Sequence, residues 1–593
     1  MTEAVSEDNI FHPASFTCFS GNSPIPCKTL AGTPAARSAN TRPGRSRNKP
    51  QQSENTIIMK KLFISLALAL ATMTAGAQGP QARTAAGVLE GTYESGIKVF
   101  KGVPFAQPPV GELRWKAPQP VKPWSGVRAA KEFGPNPMQQ NIFGDMDFGT
   151  DKMSEDCLYL NIWTPAKTMT EKLPVLIYFN GGGLMAGSGS EPRYAGASMA
   201  RNGIISITAN YREGIFGFFT HPELSKETSY KGSGNYGFLD QAAAIKWVKD
   251  NIAAFGGDPN KITIVGESAG SASVSALMAS PLCKGLFAQA MGSSASVVGF
   301  DKLPTLKEGE KAGVETMKAM GCKSLAEMRA LSAEELLKKS STNYMNKMYN
   351  IDGYFFTEQP VETFKNGRQA QVPLLVGWNS TEVPITFVIG KRPLTIASVK
   401  EAITPRFGND TGKVMEAYGL KTDADVSGLP GARLAADMFV GFATWKWSDM
   451  HKKTGNQPVY RYLYCHPRPA MRNADMVPGL AGGVQKKTEE NKNALTVSGA
   501  VHSADIEYAM GNLPTNRVYD WQPEDFTVSE IFQGYYLNFV KTGNPNGLGL
   551  PEWTPTNGQQ TPTVMQIDVN SYLKADPQLE NIYTTVDAVV SGK

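Results

Sequence analysis

The sequence predicts an α/β protein built on a large mixed, mostly parallel sheet with helices over both faces, and three observations lead there. The runs Leu173–Phe179, Ile204–Ala209 and Lys261–Val265 are apolar or β-branched along nearly their whole length rather than on alternate residues. Strands buried on both faces read that way. Between them, Gly237–Phe255 repeats its apolar residues at helical spacing, and strands alternating with helices indicate crossover units. Pro373–Gly377 and Val459–Tyr464 are later strand candidates. No internal repeat or linker interrupts the chain after residue 78. One large domain over 78–593 therefore fits better than the four that 593 residues would suggest at about 150 apiece.

The N-terminal stretch is predicted to lie outside that domain. Residues 59–77 read Met-Lys-Lys, an apolar core Leu62–Ala71, then Ala75-x-Ala77, the layout of a secretory signal peptide. Cleavage would leave Gln78 first, and no cysteine follows the site to take a lipid anchor. Export to the periplasm or the medium of a bacterium is the expectation, with no stable membrane insertion after cleavage. Residues 1–58 precede this signal. They are polar, carry Arg37, Arg42, Arg45, Arg47 and Lys49, and lack the apolar content for a packed core. The expectation is a non-native or disordered extension, created by a start codon upstream of Met59.

Removing the leader changes what the charge means. The whole chain carries +5, but residues 1–58 hold six basic and four acidic residues, and Lys60 and Lys61 add two more positive charges. The other 516 residues are near +1, so a phosphate-tracking surface loses its support and no nucleic-acid partner is expected. Cys157, Cys283, Cys322 and Cys465 remain, with no CxxC pair, too few for a disulfide scaffold. No run of 18 apolar residues appears, which excludes a polytopic membrane protein.

The sharpest chemical motif is Gly266-Glu267-Ser268-Ala269-Gly270, between the strand Lys261–Val265 and the helix candidate Ser271–Ala279. A serine presented on a tight strand-to-helix turn needs small residues two before and two after it, because side chains there would collide as the backbone reverses. A serine alkoxide attacking an ester generates an oxyanion that needs preorganised N–H donors. Asn180-Gly181-Gly182-Gly183-Leu184, just past a strand, offers bare backbone N–H groups. The base should be a histidine. Such hydrolases run in the chain order Ser, acid, His, which removes His221. His451, among Asp449, Lys452 and Lys453, reads as a solvated surface residue. His502, on the small-residue loop Gly499–Asp505, is favoured over His466, but the residues alone leave both open. For the orienting acid, Glu382 lies just beyond the strand Pro373–Val376, where α/β sites assemble. Gly232–Gly237 matches GxGxxG but no strand precedes it, so a dinucleotide site is not expected. No Walker A sequence and no HExxH is present. No metal or organic cofactor is expected.

At these residues the chain resembles the type-B carboxylesterase family, which includes cholinesterases and bacterial para-nitrobenzyl-type esterases. The resemblance runs from about Thr84 to about Asp568. It includes Lys101–Gly111, Glu155–Trp163, Asn210–Phe218, Gly234–Gln241, Phe255–Pro259 and Asn538–Asn546. It implies an α/β-hydrolase fold, a single carboxylesterase catalytic domain, and a small-molecule ester hydrolysed through an acyl-enzyme. It implies Ser268 as nucleophile, Glu382 as acid and His502 as base, with N–H groups of Gly182, Gly183 and Ala269 as the oxyanion hole. It also implies structural ion pairs Arg114–Glu155 and Arg212–Asp240. Cys157 resembles a family half-cystine, but Phe133–Met138 lacks its partner. Ser-Ala-Asp follows His502, and Val383 follows Glu382, where relatives carry Gly-x-Glu and a small residue. A non-catalytic adhesion protein of the same fold is the alternative. Specialisation for plant-derived feruloyl or acetyl esters is a second.

Overall fold

The computed structural model describes residues 79–343, 349–489, 491, 499–559 and 561–592. The extension 1–58 and the signal 59–77 lie outside the described residues.

An eleven-stranded sheet organises the chain. In chain order its strands are β1 (Thr92–Glu94), β2 (Ile97–Pro104), β3 (Tyr159–Thr164), β4 (Leu173–Phe179), β5 (Ile205–Ala209), β6 (Gly257–Glu267), β7 (Gln289–Ser293), β8 (Leu374–Asn379), β9 (Val459–Tyr464), β10 (Thr563–Ile567) and β11 (Tyr572–Ala575). Their spatial order is β11-β10-β9-β8-β7-β6-β4-β5-β3-β2-β1. The strands from β4 to β10 pair in parallel, and antiparallel pairs close both ends. The predicted strands at β4 and β9 have the bounds the sequence suggested. β6 extends past its apolar stretch at both ends, and β8 runs two residues beyond Gly377.

The reason those runs are apolar throughout is visible in the packing. Val175, Ile177 and Phe179 of β4 join a core with the helix Tyr236–Asn251 and the helix Ala269–Ala279, while Leu176 and Tyr178 enter a second core with the helix Pro523–Thr542. Alternate residues of a strand point to opposite faces, and each fully buried side chain contributes about 1.5–3 kcal/mol. A third apolar cluster joins the helices Ile396–Phe407, Thr411–Tyr418, Leu429–Ala436 and Phe442–Thr454 with the C-terminal helix Pro577–Val590.

Topology fixes where a site can form. β4 has its chain successor β5 on one side and β6 on the other, so strand order reverses there. The segments leaving the carboxyl ends of β4 and β6 diverge and open a crevice. Register places Phe179 beside Gly266, so the Gly181–Gly183 segment and Ser268 emerge together.

His451 corrects a sequence expectation. It is fully buried in the helix Phe442–Thr454, with Nε2 bonded to the Val372 carbonyl at 2.9 Å and Nδ1 facing Gln369 at 3.1 Å. The charged residues around it misled because Asp449 is itself buried and draws in Lys452, Lys453 and Arg461. The two ion pairs implied by the resemblance form. Arg114 holds Glu155 through two hydrogen bonds, and Arg212 grips buried Asp240 at 2.8 and 2.7 Å. The four described cysteines are all free. Among the described residues no helix is long and apolar enough to cross a membrane, and no group of three or more His, Cys, Asp or Glu side chains is placed to hold a metal.

Candidate active site

Ser268 sits between β6 and the helix Ala269–Ala279 with φ 55° and ψ −124°. This is a strained setting for a residue with a Cβ, and its surroundings hold it. The Ser268 N–H donates to the Ser293 carbonyl at 2.8 Å. The flanking glycines are sterically required. A Cβ on Gly266 would lie 2.3 Å from the Gly270 backbone, and one on Gly270 would lie 2.1 Å from the Phe179 carbonyl oxygen.

His502 faces the serine. Its Nε2 is 2.9 Å from Ser268 Oγ, and its Nδ1 is 2.7 Å from Glu382 Oε2. A carboxylate at Nδ1 fixes the tautomer that leaves Nε2 as acceptor. The second oxygen of Glu382 is occupied by the Ser294 hydroxyl at 2.6 Å and the Asn379 N–H at 2.7 Å. Main chain also joins the two loops. The His502 N–H donates to the Glu382 carbonyl at 2.8 Å, and Glu382 and Val501 form a parallel β-bridge. His466, the competitor in sequence, lies elsewhere, its two ring nitrogens each 3.0 Å from a carboxylate oxygen of Asp525 or Asp568. His221 serves as a helix N-cap.

Gly182 and Gly183 have φ of 103° and 66°, conformations natural to glycine. Among the described residues the N–H groups of Gly182, Gly183 and Ala269 meet no hydrogen-bond acceptor. The loop is braced from below by Asn180. Its Nδ2 donates to the Gly181 carbonyl and to Glu213, and its own carbonyl accepts the Tyr211 hydroxyl. Gly181, Gly182 and Gly183 share a cavity of about 140 Å³ with Ser268 and His502. Phe143 and Met146 form one part of its wall. Leu480 and Ala481 form another, from the tip of a hairpin between the strands Met476–Pro478 and Val484–Lys486.

Several residues of the site had no signal of their own in the sequence. Glu267 is buried with Oε1 3.4 Å from His502 Nε2. Burial is the main influence on it and raises its pKa to about 8, with Asp505 and Glu382 pushing the same way and the charge of His502 opposing. Burial disfavours a charged His502, but the charge of Glu267 and the hydrogen bond that Nδ1–H donates to Glu382 outweigh it and lift the ring to about 9. Asp505, raised chiefly by burial, accepts hydrogen bonds from Ser293 and Asn379. Phe439 meets the His502 ring edge-on, centroids 4.9 Å apart, from a π-helical turn at Asp437–Gly441. Turns of that kind recur at functional sites.

The model of the carboxylesterase family matches residues 78–584. The chain is 37% identical to a fumonisin B1 esterase of Sphingopyxis macrogoltabida over 401 residues, covering 64% of this chain and 70% of that protein. It is 30% identical to the para-nitrobenzyl esterase of Bacillus subtilis over 514 residues, covering 83% and 96%. Among solved structures, a Geobacillus stearothermophilus carboxylesterase superposes with a TM-score of 0.70 at 29% identity, covering 84% of this chain and 98% of that one. The fold is that of the α/β-hydrolases.

Proposed function

The chain belongs to the carboxylesterase family and is a carboxylic ester hydrolase, and from that premise we propose that Ser268, His502 and Glu382 carry out the reaction. The observation that carries this assignment is the continuous hydrogen-bonded row from Glu382 through His502 to Ser268, ending in a cavity.

His502 Nε2 takes the Ser268 proton as the hydroxyl oxygen attacks the ester carbonyl. Glu382 holds the ring and stabilises the imidazolium that forms. The carbonyl oxygen becomes an oxyanion and meets the free N–H groups of Gly182, Gly183 and Ala269, worth most where water is excluded. The C–O bond breaks, the alcohol leaves with the proton from His502, and the acyl group stays on Ser268. A water deprotonated by His502 then releases the acid. These steps use only protein groups and water.

Replacing Ser268 with Ala is expected to abolish hydrolysis of 4-nitrophenyl butyrate and labelling by a fluorophosphonate probe. Near-native turnover in that variant would overturn the assignment of Ser268, whereas a wild type with neither turnover nor labelling would favour a non-catalytic member of the fold. We propose further that residues 78–593 form a single catalytic domain, exported through the signal at 59–77. Sequencing the N-terminus of the native protein should find Gln78 first; a start well before it would count against export by that signal.

A further inference from the structure

The cavity wall contains a cation that ester chemistry does not require. Arg193 lies in the short turn Pro192–Tyr194, is 6% exposed, and lines the same cavity as Ser268 and His502. One edge of its guanidinium is committed. Nε donates to Glu191 Oε1, while the other Glu191 oxygen accepts the Tyr194 hydroxyl at 2.7 Å. Its main chain is anchored as well, the Arg193 carbonyl accepting from Asn512 Nδ2 at 2.9 Å.

The other edge is not committed. Nη1 is buried and has no hydrogen-bond partner among the described residues. Leaving a charged donor buried and unpaired is costly, which directs attention to what completes it. The nearby hairpin tip covers this edge only with backbone. A Cβ on Gly482 would fall 1.9 Å from Nη1. Two other acids lie near the cation without hydrogen-bonding to it. Glu507 is engaged by Arg468 at 2.8 and 2.9 Å, and Asp145 accepts the Gly483 N–H through one oxygen while its other oxygen is buried without a partner among the described residues. Burial raises the pKa of Asp145 against the opposing pull of Arg193.

We propose that Arg193 binds a carboxylate borne by the substrate, so that the enzyme selects esters with an anionic group close to the scissile carbonyl. A guanidinium offers paired N–H donors whose geometry matches a carboxylate. A cavity of about 140 Å³ has room for a few water-sized groups at about 30 Å³ each, which fits a short dicarboxylic acyl chain. The proposal rests on Ser268 being the nucleophile, since that places the scissile carbonyl in this cavity.

The test compares kcat/KM for three esters in the wild type, R193M and R193K. These are neutral 4-nitrophenyl butyrate, 4-nitrophenyl hydrogen glutarate with its carboxylate on the acyl side, and 4-acetoxybenzoate with its carboxylate on the alcohol side. Spontaneous hydrolysis is subtracted from each. The ratio of one anionic ester to the neutral one should fall about tenfold or more in R193M and partly recover in R193K. Whichever anionic ester loses its advantage shows which side of the substrate Arg193 holds. An equal loss on all three esters, or no loss, overturns the proposal. If R193M fails to fold, competition in the wild type decides. Glutarate should inhibit butyrate hydrolysis at least about tenfold better than uncharged glutaramide, with an advantage that shrinks as salt rises, and equal inhibition overturns the proposal. The S268A variant separates the two readings. Activity surviving in it refutes the nucleophile, whereas serine-dependent hydrolysis without anion preference refutes only the role of Arg193.

Discussion

Gly182→Ala isolates the contribution of the loop after β4. A Cβ at this position would lie 1.8 Å from the Ala186 carbonyl oxygen and 2.8 Å from its carbon, whereas real contacts stay above about 3 Å. Residue 182 must therefore move by roughly 1 Å, and it must also leave a φ of 103° that alanine does not favour. Its N–H moves with it. Displacing a group by about 1 Å can cost about 10²-fold, and removing one oxyanion donor costs about 10²–10³ in kcat, or about 2.7–4 kcal/mol. Because the donor acts on charge that develops only in the transition state, kcat should fall about 10²-fold while KM changes little. The assay is initial-rate kinetics on 4-nitrophenyl butyrate, with urea unfolding to verify that the variant is folded. A folded variant with native kcat would refute the placement of the oxyanion at this loop. A fall confined to KM would mean that the loop binds the ester in its ground state instead.

Other predictions test the charges. His502 must be neutral to accept the serine proton, so activity is full above its pKa and is lost as pH falls through it. With the ring held up to about 9, the acid limb of kcat/KM should lie above the free imidazole value of about 6.5. Glu267→Gln removes a carboxylate 3.4 Å away and should shift that limb to lower pH; an unmoved limb would show that Glu267 does not act on His502. His466→Gln should leave ester hydrolysis within about twofold, since neither ring nitrogen approaches Ser268. The pKa of His466 is raised because Asp525 and Asp568 outweigh its burial. The stabilisation is therefore complete below about 6.5 and is lost as pH rises through the folded value. Urea unfolding should show a larger penalty for His466→Gln at acid than at alkaline pH, and the reverse order would contradict the ion pairs. Arg212→Met leaves Asp240 buried without its cation and should cost about 3–5 kcal/mol in unfolding. A loss under about 1 kcal/mol would show that the pair is not structural.

The parts of the molecule that were readable in the sequence are those whose physics is local. β4 and β9 were visible because each is a short apolar run bounded by turn residues. The turn at Ser268 was visible because two glycines are forced by close backbone contacts on either side of one serine. His502 was harder to separate from His466, because the distinction depends on which loop reaches β6, and only the resemblance supplied it. Three-dimensional partners were out of reach. Ser294 supports Glu382 from 88 positions away. Glu267 is merely the variable letter of its motif until burial changes its acidity. His451 was misread because charge in sequence suggests solvent, yet here buried Asp449 gathers Lys452, Lys453 and Arg461 around it. Nothing in the sequence singles out Arg193, and only its burial with an unpaired nitrogen marks it out.

The backbone bridge between Glu382 and Val501 bears on how such an enzyme can change its diet. Part of the spacing between acid and base is set by peptide groups, which every sequence possesses, alongside side chains such as Ser294. The cavity walls at Phe143, Met146, Leu480 and Ala481 belong to other segments. Those segments can lengthen, shorten or exchange residues under selection for new esters while the proton relay keeps its dimensions. The pocket and the relay can thus evolve on separate schedules.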